Sequence, residues 1–298
     1  MRRVTFDLDV LRSFALGMEL GSFAKAADRL GRSTSAVSAQ LKKLEEQAGT
    51  PILRRLGRGM ALTEAGEIML TYARRLLELN DEAAAAIHGG ELEGWIRLGM
   101  QEDFGEVLLP EVLGRFARAH PKVRIEARIA RNTELLDRVS SGRLDLALAW
   151  DAGHGLPQVQ HLGEVAMCWI GPAQSAGQWQ RDSGEPLPLV TLEAPCILRT
   201  AAIDALDRAG IPWRIAFTSA SLAGIWAAVA AGLGVALRTP IGLPAHVRPL
   251  APYEAELPLM STLGLHLHRA EAEPAAAIAR LEEIMLQGLH QFAGLAHR

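Results

Sequence analysis

Apolar side chains at Leu8, Leu11, Phe14, Ala15 and Met18 recur at helical spacing and stop at Gly21, so the chain opens with an amphipathic helix. Ser22 is placed to cap a second helix that turns Phe23, Ala26, Ala27 and Leu30 inward. Gly31 then supplies a turn, because glycine takes positive φ without steric cost. Ser33 is placed to cap a third helix bearing Val37, Leu41 and Leu44, which ends near Gly49. Two short helices joined by a glycine turn, with small Ala26 and Ala27 at their crossing, make a helix-turn-helix. Residues 51–62 follow as a basic hairpin with glycines at its tip, a wing. Beyond Thr63, a further cap, an apolar stripe of Ala65, Ile68, Tyr72, Leu76, Leu79, Ala83 and Ala86 runs until Gly89 and Gly90 break it. The pattern offers no adjacent core for that stripe, so this helix is expected to seal against a second copy.

The period changes at Trp95. Strands are predicted at Ile96–Met100, Val123–Ile129 and Leu144–Trp150, with helices over Val107–Ala119 and Asn132–Ser141 between them. A second series has strands at Val159–Ile170, Cys196–Arg199, Arg214–Thr218 and Gly234–Leu237, with helices near Ala201–Ala209 and Ser221–Ala231. Strands near Val247–Leu250 and Leu263–His268 and a closing helix, Ala275–Phe292, complete it. Alternating β and α elements predict two largely parallel sheets, and in such folds ligands sit outside the carboxyl ends of the strands. Pro110 belongs in the first turn of its helix, which leaves Gln101–Gly105 as a loop at a strand's carboxyl end.

Charge adds a polarity. Residues 1–63 carry 11 basic and 6 acidic side chains, so the head is at +5 and the rest at −8 within a total of −3. A basic head on an acidic body suits a head that alone meets phosphate. The two cysteines, Cys168 and Cys196, form no CxxC pair and sit in apolar runs, where a buried inert thiol is the ordinary state and a redox pair the exceptional one. His266 and His268 share a strand face without a third metal ligand nearby in sequence, so no metal and no cofactor is expected. Arg2 and Arg3 are followed by Asp7 and Asp9 before any apolar run, which is not a signal peptide, and the Leu222–Leu237 run is too short and glycine-rich to span a bilayer. A cytoplasmic chain without membrane contact is expected. Neither a GxSxG elbow, a P-loop, an HExxH pair nor a dinucleotide fingerprint occurs, so an enzyme with an appended head, or a solute-binding protein, is the weaker alternative.

The runs Ser22-Phe-Ala-Lys-Ala-Ala-Asp-Arg-Leu30, Ser33 through Glu45, Pro51-Ile-Leu-Arg-Arg55 and Leu62-Thr-Glu-Ala-Gly66 resemble, in order and spacing, the winged helix-turn-helix of LysR-type transcriptional regulators. Leu109-Pro110, Arg115-Phe116, His120-Pro121, Gly142-Arg-Leu-Asp145 and Ala231-Gly-Leu-Gly234 are similar to that family's effector domain. Gln101-Glu-Asp103 and Leu237 through Pro244 are most similar to its LrhA/HexA-like branch. The resemblance implies an α+β chain overall. Residues 1–63 would be an all-α winged helix-turn-helix and 64–90 a linker and dimerisation helix. Residues 91–298 would be an α/β, two-lobed, periplasmic-binding-protein-like effector domain, with lobes at 91–161 plus 269–298 and at 162–268. Implied partners are double-stranded promoter DNA, an unidentified small-molecule effector and further copies of the chain as a dimer or tetramer, with RNA polymerase left open. Family members usually carry Gln then Pro after the serine opening the recognition helix; Thr34 and Ser35 stand there instead.

For DNA, Thr34, Ser35 and Ser38 are the expected base contacts, Ser33 a cap that can also donate to phosphate, and Arg32, Lys42, Arg55 and Arg58 the phosphate contacts. For the effector, Gln101, Glu102, Asp103, Phe104, Asn132 and Trp150 are expected from the first lobe, and Arg199, Thr218, Ser219 and Ser221 from the second. Asn132 and Ser221 are also placed to cap helices, and Asp103 to form a turn. With Glu102 and Asp103 beside Trp150, a neutral or cationic effector is expected unless Arg131 or Arg199 neutralises the pair.

Overall fold

Asp7 accepts a hydrogen bond from the Asp9 amide and so opens α1 (Leu8–Glu19), which buries Val10, Leu11 and Phe14. The computed structural model describes residues 4–289 apart from 57–58, 89–91, 152, 154–155, 175–178, 180–183 and 252–255. Ser22 caps α2 (Phe23–Arg29), and Ser33 caps α3 (Thr34–Ala48). Gly31 joins them at φ +63°, and Gly49 closes α3 in the left-handed region. The expected helix-turn-helix is present.

The wing is β1 (Leu53–Leu56) and β2 (Gly59–Leu62), paired antiparallel with Leu53 opposite Leu62. Its base hangs from α3: Glu45 Oε1 accepts from the amides of Ile52 (2.9 Å) and Leu53 (3.2 Å). Thr63 accepts from the Gly66 amide at 3.0 Å and donates to the Pro51 carbonyl, which sets the start of α4 (Glu64–His88) on the wing. Position 66 has room only for glycine, since a Cβ would lie 2.0 Å from the Ile52 carbonyl oxygen.

Helix α4 has two apolar faces where the periodicity suggests one. Leu70, Ala73 and Leu77 join Val10, Leu11, Phe14, Leu44 and Ile52 in the head's core. Arg12 and Asp81 tie α1 to α4 at 2.5 Å. The other face holds Ile68, Tyr72, Leu76, Leu79 and Ile87, all exposed, Leu79 at 62%.

The chain divides into two compact units, residues 1–89 and 90–298. The second begins with β3 (Gly94–Met100), the single turn α5 (Glu102–Gly105), α6 (Leu109–Ala119), β4 (Val123–Ile129), α7 (Asn132–Ser140), β5 (Leu146–Trp150) and β6 (Val159–Ala166). It continues with β7 (Cys168–Pro172), β8 (Leu187–Leu192), α8 (Ile197–Arg208), β9 (Trp213–Ser219), α9 (Leu222–Ala230), β10 (Ala236–Arg238) and β11 (Val247–Pro249). It closes with β12 (Thr262–Arg269) and α10 (Ala276–Leu289). The first lobe's sheet runs β4-β3-β5-β12-β6, with β4, β3 and β5 parallel and β12 antiparallel to both neighbours. Leu98, Phe104, Phe116, Trp150, Leu265 and Leu281 are fully or almost fully buried at its centre.

The structure corrects several expectations. The second lobe is not one parallel sheet: β10-β7-β11 is antiparallel, β8-β9 is a parallel pair, and a Leu189–Val235 bridge links them. The Val159–Ile170 run breaks at Met167, and β12 belongs to the first sheet, so the chain crosses between lobes near 167 and 261 instead of 161 and 269. Cys196–Arg199 is the start of α8, because Leu198, Ala202, Ala205 and Leu206 bury one helical face. Strand β8 escapes the pattern because Pro186 and Pro188 demote it, although Pro188 needs no donor where its own carbonyl takes the Val235 amide at 3.0 Å. The Gln101–Gly105 loop is instead the helical turn α5.

Candidate functional site

On α3, Thr34, Ser38 and Lys42 lie at i, i+4 and i+8 and therefore share one face, and all three are exposed. Ser38 Oγ donates to the Thr34 carbonyl at 2.9 Å. Ser33 Oγ accepts from the Ala36 amide at 3.2 Å and lies 3.0 Å from the Ser35 hydroxyl, so Ser33 is engaged as a cap while Ser35 remains exposed. Lys42 pairs weakly with Glu46 at 3.9 Å. Arg55 is exposed on β1. Arg32 is held by Asp9 at 2.8 Å, and Arg58 lies outside the described residues.

A cleft of about 840 Å³ opens between the two lobes of the second unit. Gln101, Glu102 and Asp103 line it from the end of β3 and from α5, Arg131 and Asn132 from the start of α7, and Trp150 from the end of β5. The facing wall is Pro195–Leu198, Thr200, Ala201 and Asp204, at and after the start of α8, with Arg238 at the end of β10.

Several of these side chains are already committed. Asn132 accepts from the Trp150 amide (2.8 Å) and Gln101 Nε2 (2.7 Å) and donates to the Trp150 carbonyl (2.9 Å), clamping the ends of β3 and β5. Asp103, buried, binds Arg238 Nη2 at 2.6 Å and the Thr239 hydroxyl at 3.2 Å, which ties one lobe to the other. Arg131 reaches across to the Glu193 carbonyl at 2.7 Å. Burial raises the Glu102 carboxyl above its usual range, with Arg238 opposing. Trp150 is 1% exposed, packs against Phe104 with ring centroids 5.2 Å apart and planes tilted by 46°, and leaves its Nε1 without a hydrogen-bond partner.

The model for the helix-turn-helix of bacterial regulatory proteins of the lysR family matches residues 8–67, and that for the LysR substrate binding domain matches residues 89–287. The chain belongs to the LysR family. It is a DNA-binding transcriptional regulator with an effector domain. The regulator PecT of Dickeya dadantii is 36% identical over 79% of this chain and 73% of its own, and DgdR of Burkholderia cepacia is 34% identical over 94% and 93%. Among solved structures, full-length BenM matches 94% of this chain and 96% of its own at TM-score 0.51 and 24% identity. DarR of Vibrio fischeri in complex with DNA matches 95% and 99% at TM-score 0.52 and 17% identity, a likeness of fold.

Within this LysR sensor, five expected effector residues line the cleft: Gln101, Glu102, Asp103, Asn132 and Trp150. Phe104 does not; it is fully buried behind Trp150. Arg199 turns its guanidinium to the Leu192 carbonyl at 3.5 Å. Thr218 and Ser219 end β9 and Ser221 follows it, but the strand whose carboxyl end meets the cleft is β8, so they lie off its lining, and Ser221 caps α9. Of the residues missed, Asp151, Thr200 and Arg238 had one signal, their nearness to the ends of a strand or helix, while Asp137 and Asp204 lie mid-helix and had none. Cys168, half-buried with its thiol pushed up to about 11 by desolvation, and Cys196 are both free. Among the described residues no group of three or more His, Cys, Asp or Glu is placed to hold a metal, and no helix is long and apolar enough to cross a membrane.

Proposed function

We propose that the chain works in the cytoplasm as a dimer, or a tetramer of two dimers, that binds paired operator half-sites and responds to a small molecule held between the lobes. The observation carrying this reading is an 840 Å³ cleft at the carboxyl ends of β3 and β5, in the same chain as an exposed polar recognition face. Residues 1–63 act as the reading head, 64–90 as the dimer seam and 91–298 as the sensor. Thr34, Ser35 and Ser38 meet base edges; Lys42, Arg55 and Arg58 meet phosphate; Ser33 caps α3 and offers its end to phosphate; Arg32 does so once released from Asp9. Transcription changes through contacts with RNA polymerase, and the cleft binds its ligand without chemical turnover. In support, the similar proteins PecT and DgdR are transcriptional regulators.

The test is a mobility-shift titration of the full chain on the DNA upstream of its own gene and of the adjoining gene, against random DNA. The expected result is a cognate complex at least about 10³-fold tighter than the random one. Equal affinity for both would overturn the reading.

A further inference from the structure

The polar groups of the cleft are sorted by depth. Two buried donors are unmet: Trp150 Nε1 and Arg238 Nε have no hydrogen-bond partner, and the two residues are 1% and 4% exposed. Helices α7 and α8 both begin at the cleft, and their N-caps, Arg131 and Cys196, make no side-chain capping bond. The first amides of those helices therefore also lack a side-chain acceptor. All of these groups call for an acceptor, preferably anionic.

The opposite demand sits farther out. Of the five carboxylates lining the cleft only Asp103 is neutralised, by Arg238, and the other lining arginine, Arg131, is taken by Glu193. Glu102, Asp137 and Asp204 carry no hydrogen bond or ion pair on their carboxylates among the described residues. Asp151 meets only the Gly153 amide and, at 4.0 Å, His266 Nδ1. Asp137, Asp151 and Asp204 are exposed and Glu102 is half-buried, so the unmatched negative charge rings the mouth while the unmatched donors lie within.

A simple carboxylic acid would satisfy the donors but face four unneutralised carboxylates. A simple amine would leave Trp150, Arg238 and two helix starts unmet. We propose that the effector is an amino acid or a similar small zwitterion, its carboxylate held inward by Trp150, Arg238 and the starts of α7 and α8, its ammonium outward among Glu102, Asp137, Asp151 and Asp204. This rests on the interlobe cleft being the effector site.

Isothermal titration of the full chain with each common L-amino acid tests it. For any that binds, two matched analogues follow, one lacking the amine and one lacking the carboxylate. For leucine these are 4-methylpentanoate and 3-methylbutylamine. At least one amino acid is expected to bind, and both of its single-charge analogues to bind about tenfold weaker or worse. The double variant Asp137→Asn, Asp204→Asn is expected to weaken the amino acid about fivefold or more while the matched acid binds more tightly, because two repelling charges are gone. An acid or an amine binding as tightly as its parent amino acid, or the absence of any amino-acid binding, overturns the zwitterion. Thr200→Trp, which fills the cleft, separates the two readings. An acid that binds the wild type but not Thr200→Trp keeps the cleft and discards the zwitterion; binding that survives Thr200→Trp discards the cleft as well.

Discussion

Ser38 spends its hydroxyl proton on the Thr34 carbonyl, so toward a base edge it offers only lone pairs. An acceptor at that place suits the amino groups of adenine N6 or cytosine N4. Ser38→Ala and Thr34→Ala are expected to lower cognate affinity by about 1–3 kcal/mol while leaving binding to random DNA nearly unchanged. Arg55→Ala, by contrast, is expected to weaken both and to flatten the salt dependence by about one unit. Equal loss of Ser38→Ala on cognate and random DNA, measured by fluorescence anisotropy, would remove it from the base-reading set. At the other end of the chain, His268 is 1% exposed with both ring nitrogens unpartnered, and burial, helped by His266 and opposed by Asp151, lowers its pKa from 6.5 to about 4. The unfolded chain takes up that proton near pH 6.5 and the folded chain only near 4. Stability is therefore full above pH 6.5 and falls as the pH drops toward 4, by on the order of 3 kcal/mol from this group. Denaturant melts across that window should show a shallower acid slope for His268→Leu; an unchanged slope would place the loss elsewhere.

Helix α4 carries an inner face bound into the head and an outer face left wet. The outer leucines are worth about 1.5–3 kcal/mol each if a second copy covers them fully. Leu79→Asp is expected to give monomers by sedimentation velocity while the head stays folded, because Leu70, Ala73 and Leu77 are untouched. A dimer of wild-type strength in that variant would move the seam off this helix. That the outer stripe was legible and the inner one was not has a simple cause: both repeat at helical period, and periodicity alone does not say how many faces are covered. The same limit explains α8 and β8. The four residues Cys196–Arg199, three of them apolar, fit strand or helix equally well, and the two prolines hid a strand whose donors were not needed. Elements with caps and positive-φ turns, α1 through α3, were legible almost to the residue because Ser22, Gly31, Ser33 and Gly49 mark their ends chemically.

At the scale of the whole sensor, sequence order misleads where the chain returns. Strand β12 is far along the chain yet sits between β5 and β6, and nothing in its own alternation of Leu263, Leu265 and Leu267 names those neighbours. The cleft was legible on the first lobe's side, where strand ends could be counted, and lost on the second, where the missing β8 shifted attention to β9. The Asp103–Arg238 pair, 135 residues apart, spans that boundary in a dry setting. Asp103→Leu alone is expected to cost about 3–5 kcal/mol by stranding the guanidinium, whereas Asp103→Leu with Arg238→Met restores most of the loss. Additive losses in chemical denaturation would mean the two charges do not depend on each other. If they do, the pair has a history as well as an energy. Any lineage altering one position passes through an ancestor carrying an orphaned charge, and selection removes it before the second change arrives. Positions 103 and 238 should therefore be inherited jointly, so that in an alignment of descendants the residue at one foretells the residue at the other.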